Sequence, residues 1–224
     1  MTEKTMKQIE NLKNQTIGVE VEMNNITREG AAKIAAEFFG TGRYKDTARV
    51  NGYQTWSAWD AQDREWKFQK DVSIHGDDAH KCELVTPILT YSDIETLQEL
   101  CRRLRKAGAK SDATRGCGVH IHIGAKGHTP QSLRNLANIM ASHEELLVDA
   151  LRLDRNNNRY GHYCKPVDRN FLNELNCKKP TTMAKLADIW YTSQGENYGR
   201  NQHYNGSRYH MLYAEYKNYA EILL

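Results

Sequence analysis

Long apolar runs are missing from this chain: nowhere in its 224 residues do the ~20 consecutive apolar side chains needed to cross a bilayer occur. The first residues, Met1-Thr-Glu-Lys-Thr-Met-Lys-Gln-Ile-Glu10, are charged and lack the apolar segment of a secretory signal. A cytoplasmic protein without a membrane partner is therefore expected. Cysteine is scarce and badly spaced for pairing. Cys82, Cys101, Cys117, Cys164 and Cys177 are an odd number with no C-x-x-C among them, which argues against a disulfide framework and against a zinc ribbon or finger. Reduced thiols are expected. Charge of one sign is also lacking: 31 Lys and Arg against 28 Asp and Glu leave +3, too little to imply a nucleic-acid partner. Neither Gly124-Ala-Lys-Gly-His-Thr nor Gly40-Thr-Gly-Arg fits a P-loop or a dinucleotide fingerprint. No Ser-His-Asp or Cys-His arrangement is legible, and there are no repeats or linkers.

What is present is the composition of a folded domain. Apolar residues make up 39% and charged residues 26%, with twelve Tyr and four Trp. Two alternating runs stand out, Gly18-Val-Glu-Val-Glu-Met23 and Gly118-Val-His-Ile-His-Ile-Gly124. In a strand, residues i and i+2 leave the same face, so Glu20 and Glu22 point together, as do His120 and His122. If those faces meet, carboxylates and imidazoles share a pocket, which is divalent-metal chemistry.

The patterning predicts a first strand over Thr16–Met23 and a helix capped by Thr27 and stopped at Gly40. Gly40 to Gly52 reads as a basic loop. Tyr53–Trp59 and Glu65–Lys70 read as a hairpin, and Lys81–Thr86 as a strand closed by Pro87. Ser92 and Glu95 look like a capping box for a helix that buries Ile94, Leu97, Leu100 (or Cys101) and Leu104. The His-bearing strand follows. A long helix opens at Thr129-Pro130 and runs to the Leu151–Tyr163 region, where the pattern fails, and a shorter one covers Thr181–Tyr191, with Met183, Leu186, Ile189 and Trp190 in the core. Ser193–Ser207 reads as loop and Arg208–Tyr216 as a last strand. The sum is one α+β domain over residues 1–224, with a mostly antiparallel sheet and helices packed on one face.

Two further segments offer ligands. Asp71 and Ser73 leave the strand that begins at Trp66, and Glu83 is the lone acid of an apolar strand, costly to bury unless something positive meets it. Carboxylates outnumber imidazoles, which suits Mg²⁺ or Mn²⁺ better than zinc. Arg115, Lys126, Arg155, Arg159, Lys165 and Arg208 are candidates for neutralising phosphate or carboxylate. Arg152–Pro166, dense in Arg, Asn and Tyr, reads as a binding loop. The remaining histidines, among them His75, His80, His128 and His143, read as structural or surface.

In order along the chain, Gly18-Val-Glu-Val-Glu, Trp66…Asp71-x-Ser73, Glu83-Leu-Val-Thr-Pro, Gly116-Cys-Gly-Val-His-Ile-His-Ile-Gly, Tyr163-Cys-Lys-Pro and Ser207-Arg-Tyr209 resemble the motifs of the amidoligase family. The resemblance covers roughly residues 16 to 212. It implies a fold similar to glutamine synthetase and glutamate–cysteine ligase, and an ATP-dependent carboxylate–amine ligase working with ATP and Mg²⁺ (or Mn²⁺) through an acyl phosphate. Carboxylate and amine substrates, including a peptide, are the implied partners. Glu20, Glu22, Glu83 and His120 or His122 would be metal ligands, with Glu20, Glu22 and Arg208 in the catalytic set. Asp71, Ser73, His122 and Lys165 would bind the nucleotide. The family's acidic–Phe–Arg strand after Ser207-Arg-Tyr209 has no counterpart in Met211–Leu224, so the closing catalytic strand is expected to be missing. Two rival readings use the same residues: a nucleotide- or peptide-binding module without activity, and a metal-dependent hydrolase built on His120 and His122.

Overall fold

A computed structural model describes residues 1–124, 127–150, 165–193, 212–215 and 221–223. They belong to two compact units, residues 1–121 and 122–224. The architecture is α+β with an antiparallel sheet.

The first unit is built on the strands β1 (Ile17–Met23), β2 (Tyr44–Asp46), β3 (Trp56–Trp59), β4 (Glu65–Gln69) and β5 (Cys82–Val85). Their order is β2-β3-β4-β5-β1, each adjacent pair antiparallel, and β6 (Val119–Gly124) borders β1. Strict alternation decides what each face carries. On β4, Trp66 and Phe68 are buried while Glu65, Lys67 and Gln69 turn the other way. Across the register Phe68 lies opposite Leu84, and on neighbouring strands Ala58, Cys82, Val19 and Met23 share the apolar face. Two helices cover that face. In α2 (Arg28–Phe38), Ala31, Ala32, Ala35 and Ala36 are fully buried, and such small side chains let the helix lie close to the strands. In α4 (Ile94–Lys106), Leu97, Leu100 and Leu104 recur at helical spacing and complete the same core. The opposite, polar face is where Glu20, Glu22 and Glu83 stand.

Local signals explain most of these boundaries. Thr27 caps α2, its Oγ1 accepting from Gly30 N at 3.1 Å. The expected Ser92–Glu95 box is replaced by Thr90 and Asp93: Thr90 N donates to Asp93 Oδ2 at 2.9 Å, and a 3₁₀ turn over Tyr91–Asp93 precedes the helix. Asp93 is favoured because it also receives Arg64 Nη2 at 2.9 Å. Residues 40–52 are not loop throughout, as they contain β2 and the short helix α3 (Ala48–Asn51). An edge strand of three residues is too brief to show a period. A helix α1 (Glu3–Lys13) that was not anticipated precedes β1, and it buries none of its residues.

In the second unit, α5 (Pro130–Ala150), α6 (Arg169–Lys178) and α7 (Met183–Ser193) enclose a core of Leu133, Ala137, Met140, Phe171, Leu175, Leu186 and Trp190. Phe171 meets Trp190 edge-on at 4.7 Å. Helix α6 was not anticipated, although Asp168 caps it by accepting from Phe171 N at 2.7 Å and Phe171 and Leu175 sit one turn apart. The end of β6 pairs with β8 (Glu221–Leu223), His122 opposite Leu223, and β8 pairs with β7 (Tyr213–Glu215). The expected strand over Arg208–Tyr216 is present as β7 alone among the described residues. The Leu151–Tyr163 region, where the helical pattern fails, and most of the loop over 193–207 lie outside them.

Candidate functional site

Cross-strand register assembles the site on the polar face of the first unit. Glu22 on β1 lies opposite Glu83 on β5, which lies opposite Gln69 on β4. The loop after β4 brings Asp71 and Ser73 to the same place. One ligand oxygen each from Glu22, Asp71 and Glu83 all fall within 4.8 Å of one another. Three carboxylates at that separation repel one another strongly unless a cation joins them.

Neutral donors hold the cluster in shape. Gly118 N donates to Glu22 Oε2 at 2.7 Å and Ser73 Oγ to Glu22 Oε1 at 3.2 Å. Gln69 Nε2 donates to Glu83 Oε2 at 2.8 Å, and Ser73 N to Asp71 Oδ1 at 2.6 Å. Beside them His120 Nδ1 donates to Glu20 Oε2 at 3.0 Å. This bond turns Nε2 towards the cluster side: a Cβ on Gly118 would lie 3.6 Å from Glu22 Oε2 and 3.8 Å from His120 Nε2. With hydrogen there instead of a side chain, the space between carboxylate and imidazole stays open.

A buried brace ties the two loops that supply these donors. Asn24, just past β1, donates from Nδ2 to His75 O at 3.1 Å, and its Oδ1 accepts from Arg115 Nη1 at 3.5 Å. His75 N donates in turn to Arg115 O at 2.7 Å. The segment carrying Asp71 and Ser73 is thereby joined to the one leading into Gly118.

Electrostatics match the geometry. Burial, then the negative charge of Glu20, pushes the Glu83 carboxyl up to about 7, with Asp71 and Glu22 adding to the effect. Glu22 is also raised, first by burial and then by Asp71, against the opposing bonds from Gly118 and Ser73 and the charge of His120. His120 is raised by its bond to Glu20, which outweighs its burial. Buried carboxylates that raise one another's pKa fit a hard divalent ion, and the all-oxygen donor set of Glu22, Asp71 and Glu83 suits Mg²⁺ or Mn²⁺. His120, held through Nδ1 by a carboxylate, has the arrangement of an imidazole oriented to offer Nε2 to a metal.

A family model described as "Putative amidoligase enzyme" matches residues 13–221. The chain belongs to the amidoligase family. No curated protein and no solved structure matches it. Membership in the amidoligase family supports an amide-forming ligase in general terms and small-molecule or peptide substrates. No helix among the described residues is long and apolar enough to cross a membrane.

Of the residues singled out from sequence, the first unit brings together Glu20, Glu22, Asp71, Ser73, Glu83 and His120. His122 is two residues further along β6 and, with the half-buried Lys165, belongs to the second unit. Arg208, Lys126, Arg155 and Arg159 lie outside the described residues, as does the binding loop before Lys165. Arg115 is not a spare cation, because its Nε pairs with Asp112 Oδ2 at 2.8 Å. His75 and His80 are engaged locally, through Thr114 O and Asp77 Oδ2. Sequence reading missed Gln69, the Gly118 N–H and Asn24. Gln69 was findable from the alternation of Glu65-Trp-Lys-Phe-Gln69. Gly118 acts through its backbone N–H, and the Asn24 amide reaches partners far away in sequence, so no local side-chain pattern reveals either.

Proposed function

We propose that this chain is an ATP-dependent carboxylate–amine ligase with a glutamine synthetase-like fold, acting in the cytoplasm on a peptide or amino-acid substrate. The observation that carries the reading is the convergence of Glu22, Asp71 and Glu83 within 4.8 Å in a member of an amidoligase family. Joining a carboxylate to an amine is uphill in water and needs the acid activated. A phosphoryl donor supplies that: an oxygen of the substrate carboxylate attacks the γ-phosphorus of ATP, ADP leaves, and the acid becomes an acyl phosphate. The amine nitrogen then attacks the acyl carbon, phosphate departs, and the nitrogen loses a proton. No protein nucleophile is required, in keeping with the absence of a legible one.

Glu22, Asp71 and Glu83 are the residues that would hold Mg²⁺, with Glu20 and His120 flanking them. The ion, when bound, neutralises charge on the phosphates. The protein's own part is placement. Gly118 N–H and Ser73 Oγ fix the Glu22 carboxylate, Gln69 fixes Glu83, and Glu20 orients His120 and keeps its Nδ1 protonated. His122, Lys165 and Arg208 are proposed to act on nucleotide, phosphate or acyl substrate, as the family resemblance implies.

The test is ADP release with Mg²⁺ across a panel of carboxylic acids and amines. Release that requires both an acid and an amine and is lost in Glu22→Gln supports the ligase. Nucleotide binding without turnover under any pairing favours an inactive binding module. ATP-independent hydrolysis with tightly bound zinc overturns the reading.

A further inference from the structure

The polar face of the first unit holds a cation that the carboxylate cluster does not use. Lys67, central in β4, lies on the same face as Glu65 and Gln69, opposite Ser57 on one side and Val85 on the other, and Val85 lies opposite Glu20. It is half-buried, yet its ammonium makes no hydrogen bond or ion pair among the described residues. Of the other cations around this sheet, Arg43 pairs with Asp63, Arg64 with Asp60 and Asp93, and Lys70 and Lys81 both with Asp78, while Lys45 at the β2 edge is exposed.

Carboxylates flank Lys67 on this face, and each accepts from neutral donors. Glu65 Oε1 accepts from Ser57 Oγ at 2.7 Å and from Asn51 Nδ2 at 2.9 Å. Glu83 accepts from Gln69, the residue next to Lys67 on this face. An ammonium on a four-carbon stem bends easily to a nearby carboxylate, so its lack of a partner where two are close is informative. The bonds to these acids come from amides and a hydroxyl, and the half-buried cation between them is uncommitted among the described residues. Its strand position is two strand spacings from Glu20, roughly 10 Å at about 4.8 Å each.

We propose that Lys67 binds an anionic group of the substrate whose other end sits at the Glu22–Asp71–Glu83 cluster. A ligand bound at the cluster through a cation and extending along the face meets Lys67 with its next negative group. Two sources carry that chemistry, the phosphate chain of a nucleotide and a carboxylate of the acid substrate. The inference rests on the proposed ligase function for the identity of these ligands, and on geometry for the site itself.

Calorimetric titration of the Mn²⁺-loaded protein with ATP, inorganic triphosphate, glutarate and adenosine tests it, in wild type, Lys67→Met and Lys67→Arg. Wild-type binding of at least one of the three anions should weaken about tenfold in Lys67→Met, the loss of one charge-assisted bond, and recover in Lys67→Arg. Mn²⁺ affinity should stay unchanged, which separates loss of the site from misfolding. Loss confined to ATP and triphosphate assigns Lys67 to the phosphates, and loss confined to glutarate assigns it to a carboxylate. Equal anion binding by Lys67→Met and wild type, or no anion binding by wild type, overturns the proposal. ATP turnover that survives an unaffected Lys67→Met sinks this site and leaves the ligase standing, whereas triphosphate or glutarate binding that depends on Lys67 without any ATP binding does the reverse.

Discussion

Glu83 is the residue on which burial and repulsion bear hardest. Its carboxyl, 5% exposed and facing Glu20, Asp71 and Glu22, titrates near 7 against an ordinary value of 4.5. The folded state therefore holds its proton more tightly than the unfolded chain. In metal-free protein this group costs nothing below about pH 4.5, and its cost grows between 4.5 and 7 and levels off above. At about 1.4 kcal/mol per pH unit the full effect is at most ~3 kcal/mol. Glu83→Gln, which can still accept from Gln69, should raise the urea midpoint of chelator-treated protein at pH 8 by more than at pH 5. A variant that shifts both equally would show that the charge is not the cause.

Between residues and the whole molecule, two local devices hold the elements that carry the site. The β3–β4 turn is organised by Asp60, which accepts from Gln62 N and Arg64 N, each at 3.0 Å, from Arg64 Nε at 2.8 Å and from buried Trp66 Nε1 at 3.0 Å. Burial alone would raise its pKa, but the bonds from Trp66 and Arg64 hold it below the usual carboxylate range. Its contribution is thus present above the ordinary value and is lost as acid takes the pH through the lowered one. Asp60→Ala should destabilise by about 3 kcal/mol, because it leaves a partly buried guanidinium and a buried indole N–H without this acceptor. Chemical denaturation measures this, and a loss under 1 kcal/mol would contradict it. The Asn24 brace is the second device. Asn24→Ala removes the donor to His75 O and should cost ~1–3 kcal/mol. It should also weaken Mn²⁺ binding, since the Asp71–Ser73 loop loses its tether. Unchanged Mn²⁺ affinity in a destabilised Asn24→Ala would mean that the brace serves the fold alone. The hairpin was legible from two β-rich runs around a polar turn, whereas the brace was not, because Asn24 meets the His75 carbonyl and the Arg115 guanidinium some fifty and ninety residues away.

For the molecule as a whole, a cation at the cluster should couple to unfolding, because the three ligands come from two strands and a loop that are far apart in the unfolded chain. Mn²⁺ at a hundredfold excess over its dissociation constant should add about 2.7 kcal/mol. In a chain of this size that raises the melting temperature by roughly 5–10 °C. Thermal unfolding with and without a chelator checks it, and Asp71→Asn should abolish most of the rise. An equal shift in wild type and Asp71→Asn would place the ion elsewhere.

Alternation alone determined which side chains of β1 and β4 share a face, because a strand has a period of two whatever surrounds it. That was enough to mark Glu20 with Glu22 and His120 with His122 as pairs, and the hard-oxygen bias of the donors followed from composition. Only the tertiary structure decided which members meet. Register sets Glu22 against Glu83, and the turn after β4 adds Asp71. The cluster is consequently three carboxylates with His120 alongside, rather than the symmetric Glu and His pairs that the two runs suggest. Register arises from packing Phe68 on Leu84 and from the helices across the apolar face, contacts between residues distant in sequence. The same packing left the Lys67 ammonium without a partner among the described residues.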